Sequence, residues 1–133
     1  MVAKSAKLTQ LIQAVDGQKV HQIRCGDHRF IDVTIVQTQG RFFIRQYKFG
    51  KRSWYDAFIN NPTIDGLPNG AMKIGDLEVQ INGKVPEDLQ SMTPSVNQAY
   101  RKLLGLIYPL MRLTFDRQKH EATTLELIPV FDH

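Results

Sequence analysis

The chain has 133 residues, 42% hydrophobic and 23% charged, which suits one domain (1–133) around one core and excludes a disordered or fibrous chain. Seventeen Lys and Arg against 13 Asp and Glu leave a net charge of +4, compatible with a small anionic ligand or weak nucleic-acid contact and demanding neither. The single cysteine, Cys25, excludes an intrachain disulfide. MVAKSAKLTQ at the start has no signal-type apolar run, and the longest uncharged apolar run, Leu103 to Met111, is too short to span a bilayer, so a cytoplasmic protein away from membranes is expected.

Lys4 to Val15 is predicted helical, because Leu8, Leu11, Ile12 and Val15 form one stripe; Ser5 is the expected cap and Gly17 the expected left-handed terminator. Gln18 to Arg24 reads as a short strand and Gly26-Asp27 as a turn. Cys25 is expected to be an ordinary strand-end thiol; the alternative is some thiolate character lent by Arg24 beside it. Arg29 to Gln37 is a strong strand with Ile31, Val33 and Ile35 on one face and Phe30, Asp32, Thr34 and Val36 on the other. Thr38-Gln39-Gly40 turns it into a second strand, Arg41 to Lys48.

The segment Arg41 to Pro62, RFFIRQYKFGKRSWYDAFINNP, is the candidate site. Arg41, Arg45, Lys48, Lys51 and Arg52 are interleaved with Phe42, Phe43, Tyr47 and Phe49. Alternation sends Arg45 and Tyr47 to one surface, opposite Phe42 and Ile44. Ser53 and Asp56 have capping-box spacing for a short helix carrying Trp54, Tyr55 and Phe58, which Asn61-Pro62 stops. Lys48, Lys51 and Arg52 stand before the amino end of that helix, an arrangement that suits a phosphate, although Asp56 opposes it. The bland alternative is a solvated basic loop leading into a capped helix, with the aromatics in the core.

Thr63 to Gly70 is loop chemistry. Ala71 to Asn82 is a second hairpin, turned at Gly75-Asp76 with glycine first, as a type II′ turn prefers; Asn82-Gly83 marks a further reversal. Val85 to Ser91 reads as loop or one helical turn. Thr93 as cap and Pro94 at the first position open a helix with a Val96, Ala99, Tyr100, Leu103 and Leu104 stripe, ended by Gly105. Ile107 to Leu113 is predicted as a shorter helix. Glu121 to Val130 is the last strand, with Pro129 suited to a strand end or sheet edge. Antiparallel hairpins with helices between them argue for a small antiparallel sheet, curled or barrel-like, in an α+β arrangement.

His21, His28, His120 and His133 do not fall at metal-ligand spacing, so no metal site is expected. GxSxG, Walker and GxGxxG patterns are missing, and the carboxylates are scattered. Phe42, Phe43 and Tyr47 on a basic strand suit single-stranded nucleic acid, but one strand makes a poor stacking platform.

The candidate segment resembles "YvRSyrG…WYrnlraNP" of split-barrel proteins related to deazaflavin-dependent nitroreductases, with Trp54-Tyr55 and Asn61-Pro62 in matching places. Ala99-Tyr100-Arg101-Lys102 and Ala122 to Pro129 resemble the "AYraKYg" helix and "aTlrLvP" strand of a bacterial family of uncharacterised domains. The resemblance covers Arg29 to Val130. It implies a split β-barrel of the flavin-binding kind, a homodimer, and FMN or a deazaflavin between strands near the subunit interface. On that basis Arg45 and Tyr47 face the cofactor cleft, Lys48, Lys51 and Arg52 hold the phosphate, and Trp54 and Tyr55 pack at its edge. Two departures stand against a bound deazaflavin: Gln18 to Asp27 lacks the upstream "GRxSG" phosphate segment, and Gln46 stands where relatives often have Ser. The expectation is therefore a dimeric split-barrel domain that binds a small anionic ligand, with a flavin- or deazaflavin-dependent reductase as the alternative.

Overall fold

A computed structural model describes residues 2–45, 54–64, 66–105 and 121–131, with side chains from Ala6 onward. Its elements are α1 (Val2–Asp16), β1 (His21–Cys25), β2 (Ile31–Val33), β3 (Val36–Thr38), β4 (Arg41–Ile44), α2 (Trp54–Ile59), β5 (Gly70–Ile74), β6 (Leu77–Lys84), α3 (Leu89–Leu104) and β7 (Leu125–Pro129). The strands form one seven-stranded sheet in the order β2-β1-β5-β6-β7-β4-β3, and every pairing is antiparallel.

Chain connectivity forces that sheet to curl. Its edges are β2 and β3, which only Thr34 and Ile35 separate in sequence. Six interstrand gaps of about 4.8 Å would hold the edges of a flat sheet roughly 29 Å apart. The three Cα steps from Val33 to Val36 span at most about 11 Å. The sheet therefore bends into a half-barrel whose two edges meet where this segment crosses. The predicted strand Arg29 to Gln37 is thus two strands, broken at the one place where the chain leaves one edge for the other.

Side chains satisfy the backbone at that seam. His21 Nδ1 accepts the Ile35 N–H at 2.9 Å, so the ring proton lies on Nε2, which donates to the Val15 carbonyl at 3.0 Å. The Thr34 hydroxyl donates to the Lys19 carbonyl at 2.9 Å. On the other edge the β3–β4 register pairs Val36 with Phe43, so Thr34 and Arg45 would pair next. In their place the Tyr100 hydroxyl accepts the Arg45 N–H at 3.0 Å and donates to the Thr34 carbonyl at 2.9 Å.

Burial pushes the His21 imidazole below its ordinary value of 6.5, against smaller opposing effects of the Val15 carbonyl and Asp16. A second ring proton would also face the Ile35 N–H. As pH falls, the unfolded chain takes up the proton before the folded one. Stability is then full above about pH 6.5 and declines below it, by up to about 1.4 kcal/mol per pH unit for this one group. Urea unfolding from pH 7.5 to 5 is expected to show this slope, and His21→Gln to flatten it. A wild-type slope that survives the substitution would remove His21 as its source.

The two faces of the sheet carry separate cores. Inside the curl lie Ile23, Val33, Ile35, Phe42, Ile44, Met72, Ile74, Ile81, Leu125 and Leu127, joined by Leu11 and Val15 of α1 and Phe58 of α2. Outside, α3 lays Met92, Val96 and Tyr100 on Val36 and Phe43. Leu8, Ile12 and Leu103, members of the predicted helical stripes, are partly buried against these clusters.

Several local expectations change. Helix α1 starts before Ser5, so Ser5 is helical and not a cap. Gly17 lacks the left-handed φ and instead donates its N–H to the Gln13 carbonyl at 3.0 Å, continuing the helical ladder. Asn82-Gly83 is no reversal: it lies inside β6, where Gly83 makes room for the Phe58 ring. Helix α3 begins at Leu89, one turn before the predicted cap. Thr93 is interior and donates its hydroxyl to the Leu89 carbonyl at 2.8 Å, and Pro94 sits within the helix. The Gly75 turn holds: Gly75 has φ 59° and Asp76 has negative φ, as a type II′ turn requires. Gly105 ends α3 with φ 62°. Pro129 closes β7, beyond the reach of its pairing with β4. The predicted helix Ile107 to Leu113 lies outside the described residues.

Candidate ligand site

Arg45 follows Phe43 on the face that α3 covers, so it is buried, 4% exposed, and does not reach open surface as alternation alone suggested. Its Nε donates to Thr124 Oγ1 at 2.9 Å, Nη1 donates to Asn97 Oδ1, and Nη2 makes a long contact to the Thr93 carbonyl at 3.4 Å. Asn97 in turn donates to Glu121 at 3.2 Å, and the Thr124 hydroxyl donates to the Glu121 carbonyl at 2.7 Å. The guanidinium also lies 5.8 Å from the centre of the Tyr100 ring. These bonds fix the end of β4 beneath α3. The amphipathic Val96–Tyr100 stripe signals in sequence that α3 packs on some apolar face, without naming that of β4.

Trp54 and Tyr55 open α2, both half-buried against the inner core, with their rings edge to face at 6.2 Å. Burial, with a smaller effect of Asp56, raises the Tyr55 hydroxyl above its ordinary range. Tyr47, Lys48, Lys51, Arg52 and Ser53, the predicted cap, lie outside the described residues. The structure therefore places Arg45 and Trp54, on either side of residues 46–53 of the candidate segment, Arg45 buried under α3 and Trp54 packed on the inner core.

Arg41 serves another purpose. Its guanidinium binds both oxygens of Asp88, at 2.8 and 2.9 Å, and both of Glu126, at 2.9 and 2.8 Å. This joins β4, β7 and the start of α3. Paired bonds to two carboxylates hold Arg41 firmly charged and keep the Asp88 carboxyl below its usual range. Asp88 is thereby occupied and makes no side-chain cap to α3.

Among the described residues, clefts of about 330 Å³ open at two other places. One lies between the end of α1, β3 and α3, lined by Asp16, Gly17, Lys19, Val36, Gln37, Ala99, Lys102 and Leu103. Its residues come from three distant parts of the sequence, which no local spacing reveals. The other lies at the Gly26 turn, with Cys25, Asp27, His28, Asn61 and Asn69 among its walls. The Cys25 thiol is 7% exposed and burial raises its pKa. Its neighbour in sequence does not activate it, because alternation turns Arg24 to the opposite face, over the Phe30 ring at 4.6 Å and 3.6 Å from Glu78.

Among the described residues no cluster of three His, Cys, Asp or Glu side chains is placed to hold a metal ion, and no helix is long and apolar enough to cross a membrane. No family model, no curated protein and no solved structure matches the chain.

Proposed function

We propose that the chain is a non-catalytic binding domain that holds a small, phosphate- or carboxylate-bearing ligand on the segment from Arg45 to Tyr55. The single observation that carries this reading is the anchoring of both ends: Arg45 is locked under α3 and Trp54 is packed on the inner core. Between these fixed points the sequence places Tyr47, Lys48, Lys51 and Arg52. Cations delivered on a short segment with fixed ends lose less entropy on binding than cations on a free loop. Arg45 acts in this scheme as a positioning residue, since its donors are directed into the protein.

The curled sheet, both edges of which come from Ile31 to Thr38, supports a barrel-like fold; the flavin-binding kind rests on the resemblance of Arg41 to Pro62. A homodimer is part of the same reading. Against catalysis by described residues stands the commitment of the buried polar groups: both His21 nitrogens hold backbone atoms, and the Cys25 thiol is kept neutral. A flavin- or deazaflavin-dependent reductase needs no acid or base from this chain, since the cofactor carries the hydride; FMN is therefore the first probe. The melting temperature is expected to rise with FMN or pyrophosphate. The triple variant Lys48→Ala, Lys51→Ala, Arg52→Ala should lose the rise while melting within a few degrees of wild type without ligand. An equal rise in the triple variant would remove the segment as the seat.

A further inference from the structure

The cleft between α1, β3 and α3 carries groups of both charges above an apolar floor. Val36, 2% exposed, and the half-buried Ala99 and Leu103 form that floor. Lys19 and Lys102 contribute two exposed ammonium groups. Asp16 is the last residue of α1, a helix with no basic residue in its last turn. A carboxylate there opposes the negative end of the helix dipole, an arrangement that costs stability unless a cation offsets it. Its partner is a neutral amide, Gln37 Nε2 at 3.4 Å. That amide is itself oriented, because Gln37 Oε1 accepts the Gly40 N–H at 2.8 Å.

We infer that this cleft binds an apolar α-amino acid, its ammonium on Asp16 and the carbonyl end of α1, its carboxylate between Lys19 and Lys102, and its side chain on Val36, Ala99 and Leu103. The volume of about 330 Å³ admits a side chain as large as an aromatic one. A simple anion would meet Asp16 at the rim, and a simple cation would meet two lysines; a zwitterion satisfies both. The occupant would tie α1 to α3 across β3, beside the seam that His21 and Tyr100 hold.

The test uses L-phenylalanine, 3-phenylpropionate (no ammonium) and phenylalaninamide (no carboxylate), followed by amide chemical shifts in NMR. Phenylalanine is expected to saturate shifts at Gly17, Val36, Gln37 and Lys102. Each truncated probe should bind at least about tenfold more weakly, as one charge-assisted bond is lost. In Asp16→Asn the preference for phenylalanine over 3-phenylpropionate should vanish. The double variant Lys19→Ala, Lys102→Ala should lose the preference for phenylalanine over its amide. All of these residues are exposed, and the variants' spectra report their folding directly. Failure of phenylalanine to shift this cleft, or unchanged preferences in the folded variants, would overturn the inference. The Lys48, Lys51 and Arg52 triple variant should bind phenylalanine as wild type does, so this site and the segment from Arg45 to Tyr55 fail or stand separately.

Discussion

Gly70→Ala is expected to destabilise the fold by about 3 kcal/mol, at the severe end for one added methyl group. A Cβ on Gly70 would sit 2.2 Å from the Arg24 carbonyl oxygen and 2.9 Å from the Phe58 ring. The first clash is with backbone, and the strand cannot slide away from it. β5 is paired on both sides, Gly70 standing opposite Cys25 of β1 and Ile81 of β6. Relief would break one ladder or the other. Gly83→Ala makes a useful contrast, since the three atoms nearest its Cβ all belong to the Phe58 ring, the first at 2.7 Å. Phe58→Ala should therefore lower the cost of Gly83→Ala by about 1 kcal/mol or more and leave the cost of Gly70→Ala largely intact. Denaturant midpoints of the single and double variants measure both. Equal rescue at the two glycines would show that the Arg24 carbonyl yields, contrary to this account.

Tyr100→Phe is expected to cost about 2–4 kcal/mol, although it removes one oxygen from a side chain that stays packed. The hydroxyl serves both strands at the seam, accepting from the Arg45 N–H and donating to the Thr34 carbonyl. Its loss deprives a buried N–H and a part-buried carbonyl of a bond, at about 1–3 kcal/mol for each group to the extent that it is buried. The competing outcome is closure of the strands, with Arg45 donating directly to Thr34. That outcome would hold the loss below about 1 kcal/mol, a single net hydrogen bond, and keep the Arg45 amide protected from hydrogen exchange. Urea titration with amide exchange at Arg45 separates the two, and only the larger loss with a faster-exchanging amide fits a hydroxyl that wedges the seam open.

Much of the fold was legible because local chemistry and tertiary context agree. The Gly75-Asp76 turn, the two hairpins and the stripes of α1 and α3 follow directly from period and turn residues. The seam was not legible. Periodicity runs through Ile31, Val33 and Ile35 without a break, and the break comes from His21 and Tyr100, 14 and 66 residues from the backbone groups that they bond. Pro94 and Asn82-Gly83 each read locally as a boundary and each lies inside an element: α3 begins one turn before the predicted cap, and Asn82-Gly83 is held in β6 by pairing with β7. At the candidate site, sequence placed Trp54 and Tyr55 on a short helix correctly and sent Arg45 to the surface, because alternation names a face and cannot say that α3 covers it.

The most direct measurement is a binding isotherm for FMN and for pyrophosphate, on wild type and on the Lys48, Lys51 and Arg52 triple alanine variant. The account predicts saturable binding to wild type and a loss of at least about tenfold in the variant, as removal of charge-assisted phosphate contacts requires. Wild-type protein that binds neither probe, or a variant that binds as tightly as wild type, would contradict it.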